Sequence, residues 1–405
     1  MISLFIALCS IYFLRIVVFT IGLIIELGRF KKTSSGKALP FVSVVVPARN
    51  ETTLIKDCLI SISKNNYPID KYEIIAVNDR STDNTGEILD SMLDLIPNLI
   101  VIHNDNEKAI KNLRGKPGAL QLGINSSKGD IILMTDADCL VNDQWIYSNA
   151  RGYSDDDLGM TAAFTNVIND NFFSSLQSVE WMYLHTLAVG GIGLNLPYGC
   201  FGNNISLSKE KFEKIGGYEA LKFSVTEDLA MLQFMHDKGY KLRHLSNHES
   251  TINTLPNKTL KEYINQHHRW ILGGTSLGMK AFAWMLTAVA LWVAIIFPLI
   301  TGDYYLSLIA LALRFVSDLI IMIPSMFRLR RLDLFPYLLP ASIFLMILEL
   351  VTPLLTLKRD VRWKDQVFYD AESKYEEFLK LIAEQKKNFT TQSEIIRKKF
   401  QKKVK

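Results

Sequence analysis

Two carboxylates one residue apart, Asp136 and Asp138, stand in the stretch GDIILMTDADCLVN (residues 129–142), directly after a run from Ile131 to Thr135 that reads as a buried strand. Like charges a few ångströms apart repel by about 4 kcal/mol at an effective dielectric of about 20, so something positive must compensate them. Mg2+ or Mn2+ suits the position, because such hard cations are usually held by one or two protein carboxylates plus the phosphates of a substrate. The plain alternative is a solvated loop that caps a helix starting near Asn142. A third aspartate, Asp79, follows the strand Glu73 to Val77 in YEIIAVNDRSTDNT. Thr226, Glu227 and Asp228, in SVTEDLAMLQFMHDKGYKL, fall at a helix N-terminus, where the dipole favours anions; that position serves capping and chemistry alike. In NKTLKEYINQHHRWILGG, Gln266, Arg269 and Trp270 lie on adjoining positions of one amphipathic helix face. They suit either an interfacial anchor or the capture of an anion and a flat ring.

These groups need elements to hold them. FVSVVVPARNE is a strand ending at Pro47, YEIIAVND a second and NLIVIHN a third, while GKPGALQLGINSSKGD is a helix entered through Gly-Lys-Pro-Gly. The alternation of short β-rich runs with helical patterns predicts a parallel sheet with helices on both faces. Ligands bind such sheets at the carboxyl ends of the strands, where Asp79 and the Asp136/Asp138 pair both fall. Downstream, YGCFGNNISLSKEKFEKIGGYE is Gly- and Asn-rich before a helix at Ser208, which lets its backbone approach a ligand.

The chain of 405 residues is 49% hydrophobic and 21% charged. Its mean hydropathy of +0.14 is high for a soluble protein of this size. The excess sits in four blocks, Ile2 to Leu27, Ala281 to Ile300, Tyr304 to Met326 and Phe335 to Leu357, each of about the 20 residues needed to cross a bilayer. The organisation expected is an anchor over 1–30, an α/β domain over 41–255, an interface helix over 256–280, a membrane region over 281–357 and a charged tail over 358–405. The first block lacks a basic start and a small-residue cleavage site, so it reads as a retained anchor. Basic residues collect after the first, third and fourth blocks (Arg29, Lys31, Lys32; Arg328, Arg330, Arg331; Lys358, Arg359, Arg362, Lys364), which places the α/β domain on the cytoplasmic side of the inner or plasma membrane. That orientation needs an even number of crossings after the domain. The fourth block, with Pro336, Pro340, Glu349 and Pro353, is therefore expected to form a re-entrant or interfacial hairpin, the alternative being a third span. Arg314 and Asp318, four residues apart, either neutralise one another or line a polar path. The four cysteines and seven histidines have neither paired nor zinc-ligand spacing. No nucleic-acid motif occurs. The tail reads as a solvated helix with a basic end.

Taken in order, VVVPARNE, the aspartate of VNDRSTDNT, TDAD, TED and the Q-x-x-R-W of QHHRW resemble the membrane-bound glycosyltransferases of family 2, the group of cellulose, hyaluronan and poly-N-acetylglucosamine synthases and ceramide glucosyltransferase-like enzymes. The resemblance covers roughly residues 41–274. It implies a GT-A fold, a Rossmann-like mixed α/β sheet, and inverting transfer from a nucleotide-diphosphate sugar, UDP-linked by expectation. It further implies that Pro47, Asn50, Glu51 and Asp79 bind the nucleoside and that Lys116 lies near the nucleotide. Asp136 and Asp138 would take the donor and its metal, with Asp138 the more direct ligand. Asp228, beside Glu227, would be the general base, while Gln266, Arg269 and Trp270 would hold the diphosphate and the acceptor. With few membrane blocks after the domain, transfer of one or a few sugars to a lipid or saccharide acceptor is favoured over processive polymerisation with export. A silent GT-A scaffold is disfavoured because Asp136, Asp138 and Asp228 are all present.

Overall fold

The computed structural model describes residues 2–30, 38–105, 113, 115–153, 155–222, 224–357, 360–363 and 366–369. Helix α1 (Ile2–Phe30) is followed by β1 (Val42–Ala48), α2 (Ile55–Ser63), β2 (Tyr72–Asp79), α3 (Thr85–Ser91), β3 (Leu99–Asn104), α4 (Lys116–Asn125), β4 (Ile131–Met134), β5 (Cys139–Val141), α5 (Trp145–Gly152), β6 (Leu158–Ala163), β7 (Thr165–Val167) and α6 (Phe172–Gly193). Then come β8 (Ile205–Ser208), α7 (Lys209–Lys214), α8 (Glu227–Asp237), β9 (Lys241–Leu245), β10 (Ile252–Thr254) and α9 (Leu260–Gly274). The chain continues through α10 (Met279–Thr301), α11 (Tyr304–Leu329), α12 (Leu338–Leu355) and the short strands β11 (Asp360–Trp363) and β12 (Gln366–Tyr369). The charged tail from 370 onward lies outside the described residues.

The central sheet has seven strands in the order β3-β2-β1-β4-β8-β6-β9. Its first four strands are parallel, as the sequence pattern predicts. β8 then runs antiparallel to both β4 and β6, which makes the sheet mixed. Because β1 is covered on both faces, its residues are apolar without alternation. Val42, Val44 and Val46 pack with Ile55, Leu59 and Trp145 on one side, and Val45 packs with Leu120, Ile124 and Leu232 on the other. The shared register puts Pro47 opposite Val77, Ala48 opposite Asn78 and Asp79 opposite Asn104. β4 ends at Met134, paired with Val45, so Asp136 emerges at the same edge. A second sheet, β5-β10-β7, continues from the Asp136/Asp138 turn and delivers the chain to the loop before α9.

Four helices are long and apolar enough to cross a membrane: α1, α10, α11 and the segment Leu332–Leu355 that contains α12. Within the last of these, α12 runs as one continuous helix, long enough for the third-span alternative. Pro340 falls in the first turn of α12, where its missing N–H would have no helical partner, and Pro353 falls in the last turn, so neither breaks the helix. Arg314 joins Asp318 (Nε to Oδ2, 2.9 Å) as its spacing predicts, and also donates to both oxygens of Glu349 on α12 (2.8 and 2.9 Å). Mutual neutralisation therefore extends across two helices. The arginines at the end of α11 meet the α/β domain: Arg328 donates to the Ser246 carbonyl (2.9 Å) and Arg331 to Asn169 Oδ1 (2.8 Å).

Helix α6 is buried along nearly its whole length and docks on α1. A Cβ built on Gly193 would come within 1.9 Å of the Gly22 carbonyl oxygen, and one on Gly22 within 2.1 Å of the Gly190 carbonyl oxygen. Small residues let two helix backbones approach this closely. Gly193→Leu should therefore force the anchor off α6, at a cost on the order of 3 kcal/mol, read as a lower thermal midpoint of the detergent-solubilised protein. An unchanged midpoint would contradict the crossing.

Candidate active site

The carboxyl ends of β1, β2 and β4 open into a cleft of about 760 Å³. Its lining brings together Pro47, Glu51, Asp79, Lys116, Asp136, Asp138, Glu227, Asp228, Gln266, Arg269 and Trp270. Eleven of the twelve site residues expected from the sequence line this cleft, and their convergence from six separate elements is what makes it a site. Asn50 is the exception to the expected set. It adopts a left-handed backbone (φ 55°), and its Oδ1 accepts the Thr82 N–H (2.8 Å), so its side chain braces the loop after β2. Asp79 is buried, gripped by Arg80 through two bonds (2.9 and 3.0 Å) and by the Asn104 amide (2.9 Å).

The positive partner that the paired carboxylates require is in part the protein's own. Lys116 Nζ, at the first turn of α4, lies 2.6 Å from Asp136 Oδ1 and 3.5 Å from Glu227 Oε1. Burial alone would make its ammonium easier to deprotonate, but Asp136 and Glu227 outweigh that and hold the proton more tightly than usual. Asp138 accepts a hydrogen bond from the Cys139 thiol (3.4 Å). Among the described residues no group of three or more His, Cys, Asp or Glu side chains forms a metal cage. Two carboxylates at the mouth of a cleft fit Mg2+ or Mn2+ when a substrate supplies the remaining oxygens, which is the usual way these ions are held.

Asp228 sits at the start of α8 with both oxygens engaged: Oδ2 accepts the Gly202 N–H (2.6 Å) and Oδ1 the Leu229 N–H (2.8 Å). A Cβ on Gly202 would stand 3.1 Å from Asp228, so the Gly-rich turn is what permits this approach. Burial first, and the neighbouring Glu227 second, push the Asp228 carboxyl up to about 6, against the pull of Lys116. One wall of the cleft is aromatic. Trp181 stacks on Phe201 (ring centroids 4.8 Å), and both meet Trp270 edge-on at 5.4 Å. Gln266 Oε1 accepts from Asn257 (2.8 Å), whose own peptide is clasped by the Gln177 amide. Trp181, Phe201 and Asn257 line the cleft without having been singled out in the sequence.

A mixed α/β sheet with an acidic cleft at its strand ends is the architecture of the GT-A fold. The chain matches the family model for glycosyl transferase family 2 over residues 43–229. It is 25% identical to a beta-monoglucosyldiacylglycerol synthase of Synechocystis over 62% of this chain and 52% of the relative. With the poly-beta-1,6-N-acetyl-D-glucosamine synthase of Staphylococcus aureus it shares 26% identity over 60% of this chain and 56% of the relative. The chain thus spans little more than half the length of the curated relatives it matches. Among solved structures, the mannosyltransferase PcManGT from Pyrobaculum calidifontis, in complex with GDP-Man and Mn2+, superposes with a TM-score of 0.51 at 16% identity, covering 85% of this chain and 98% of that one. The likeness carries the fold.

Proposed function

We propose that this protein is an inverting glycosyltransferase that moves a sugar from a nucleoside-diphosphate sugar, UDP-linked by expectation, to the hydroxyl of a lipid acceptor at the cytoplasmic face of the membrane. The observation that carries this reading is the single cleft that gathers strand-end carboxylates, the Lys116 ammonium, Asp228 and the Gln266–Arg269–Trp270 face. Inversion needs one in-line displacement, with a base on the acceptor side and positive charge on the leaving-group side. Asp228 takes the proton of the acceptor hydroxyl as that oxygen attacks the anomeric carbon. The bond from that carbon to the diphosphate oxygen breaks, and the nucleoside diphosphate leaves with the electron pair. Arg269 and Lys116 meet the charge that develops there, the guanidinium being suited to bidentate phosphate contact. Asp136 and Asp138 would hold Mg2+ or Mn2+, which when bound supplies further neutralisation of the diphosphate. Trp270 gives the acceptor an apolar face.

A lipid acceptor is favoured by the cleft's position. Its lining includes Leu255, which is 43% exposed, and α9 leads from the cleft through a short turn into α10. The name of the Synechocystis relative fits this acceptor class, and that of the staphylococcal relative fits a polymer. One assay separates the readings. Membranes containing the protein are given a panel of UDP- and GDP-sugars with extracted lipid, nucleotide release is followed, and the product is sized by mass spectrometry. A lipid carrying one or a few sugars is expected; a polymer ladder would favour processive synthesis, and no release from any donor would overturn the reading.

The raised carboxyl of Asp228 sets the pH dependence. A base must be ionised, so kcat/KM should rise with pH through about 6 and level off above it. Glu227→Gln removes the neighbouring like charge and should move that midpoint to lower pH, whatever it does to the plateau. A midpoint that stays in place would exclude Asp228 as the group that titrates.

A further inference from the structure

Helix α6 carries no recognisable motif, yet three of its residues on one face, Gln177, Glu180 and Trp181, all touch the elements that bear the acceptor side of the cleft. Gln177 clasps the Asn257 peptide, and Trp181 packs on Trp270. Glu180, 2% exposed and outside the cleft lining, engages α9 with both oxygens. One accepts from His267 Nε2 (2.5 Å) and the other takes the Tyr263 hydroxyl. The second ring nitrogen of His267, Nδ1, faces the Tyr263 carbonyl oxygen at 2.8 Å. Both ring nitrogens thus meet acceptors, and only an imidazolium can donate to both. His267 and Glu180 form a buried ion pair between the helix that docks on the anchor and the helix that carries Arg269 and Trp270. Trp270 also packs against the His267 ring (5.0 Å).

We propose that Glu180 is a positioning residue: through His267 and Tyr263 it fixes the rotation of α9, so that Arg269 and Trp270 face the reacting sugar. This rests on the glycosyltransferase reading above. Breaking a buried pair by removing one partner leaves the other charge uncompensated, so the brace is sensitive to truncation. It tolerates a neutral substitute better. A glutamine at 180 can donate from its amide to a neutral His267 Nε2 while its oxygen still takes the Tyr263 hydroxyl, and His267 Nδ1 keeps its bond to the carbonyl. The titratable groups that face His267 are Glu180 from α6 and Tyr263 on α9 itself. Burial works against the charged ring, but the Glu180 carboxylate outweighs it and raises the His267 pKa.

The test uses the full chain in detergent micelles, as parent, Glu180→Ala and Glu180→Gln. Displacing catalytic groups by about 1 Å can lower turnover on the order of 100-fold. Glu180→Ala should lose kcat on that scale with donor KM changed by less than about twofold, the split expected for a group that acts in the transition state. Glu180→Gln should restore most of kcat above about pH 7, where a His267 freed of its carboxylate is neutral. A Glu180→Ala variant that transfers sugar like the parent, or one whose donor KM rises as much as kcat falls, overturns the proposal. Ring NMR of His267, assigned by difference with His267→Gln, decides the ion pair without any turnover. The ring should stay protonated to higher pH in the parent than in Glu180→Gln; matching titrations overturn the pair. If the parent turns over no donor sugar, the glycosyltransferase reading fails, and the ring titration still decides whether the brace exists.

Discussion

Asp228→Asn is expected to lower sugar transfer on the order of 1,000-fold, the middle of the range for removing a general base, while nucleotide binding survives. The substitution takes away a proton acceptor and leaves shape almost unchanged. Its local consequence can be followed through the hydrogen bonds. Asp228 accepts from Gly202 N–H and Leu229 N–H, and an amide can accept only one of these well, because its NH2 would meet the other donor. A donor left facing a donor costs about 1–3 kcal/mol, so the turn at Gly202 should loosen. Nucleotide affinity should not fall, since the change also removes a negative charge beside Glu227 from the cleft that receives an anionic donor. The two effects are separable by measuring transfer and nucleotide diphosphate binding on the same sample. Equal loss of both would mean that the turn had collapsed, and transfer at the parent's rate would exclude Asp228 as the base. A domain retained only as a membrane scaffold would show no change in either.

The residues that could be read from the sequence are those fixed by a local rule. A strand that ends at Asp79, or at Met134 before Asp136, must put its next polar residue at the sheet edge. Thr226 to Asp228 must stand at the mouth of a helix because a helical pattern begins there. Those rules placed three parts of the cleft on the same edge. What they could not give is contact between elements that are distant in the chain. Lys116 was expected near the nucleotide, and the residue that holds it, Asp136, is reached only when α4 packs across β1 and β2. Asn50 falls in a motif shared with nucleoside-binding residues, yet its left-handed backbone turns the amide toward Thr82. The reversal of β8, which makes the sheet mixed, rests on a four-residue strand whose direction no periodicity encodes. Helix α6 was silent for a different reason. A helix buried on nearly every side shows no apolar stripe against a polar one, so Gln177, Glu180 and Trp181 look like scattered residues in FFSSLQSVEWMYLHTLAVGGIG. Over Phe335 to Leu357 the choice between a hairpin and a third span turned on prolines counted without regard to position, and two of them fall in terminal turns of α12.

Asp138→Ala should abolish divalent-cation-dependent binding of nucleoside diphosphate while leaving the fold intact, and Asp136→Ala should do something measurably different. The two carboxylates are one residue apart but carry unequal loads. Asp136 is the counter-ion of Lys116, and its removal leaves the ammonium with Glu227 at 3.5 Å as its remaining carboxylate contact. Asp136 is about a third exposed, so solvent screens part of that loss, and the cost to stability is on the order of 1–2 kcal/mol. Asp138 accepts a hydrogen bond from the Cys139 thiol (3.4 Å), a longer contact than the 2.6 Å between Asp136 and Lys116, and its replacement relieves repulsion between neighbouring anions. Calorimetric titration of UDP and GDP in Mn2+, repeated in EDTA, reads the cation-dependent part of binding, and thermal unfolding without nucleotide reads the fold. In the parent, EDTA should weaken nucleotide binding at least about tenfold, as loss of a bound cation's contacts implies. In Asp138→Ala the same comparison should show no difference, with the thermal midpoint lowered less than in Asp136→Ala. In Asp136→Ala both the EDTA effect and the midpoint should fall. Parent binding that ignores EDTA would exclude a cation at this pair. Identical behaviour of the two variants would mean that Lys116 is not held by Asp136 in solution. The distinction matters for mechanism, because a lysine already seated on one carboxylate offsets part of the cleft's negative charge before any donor arrives, and the positive charge that receives the diphosphate would then be divided between the protein's own ammonium and a cation held chiefly by Asp138.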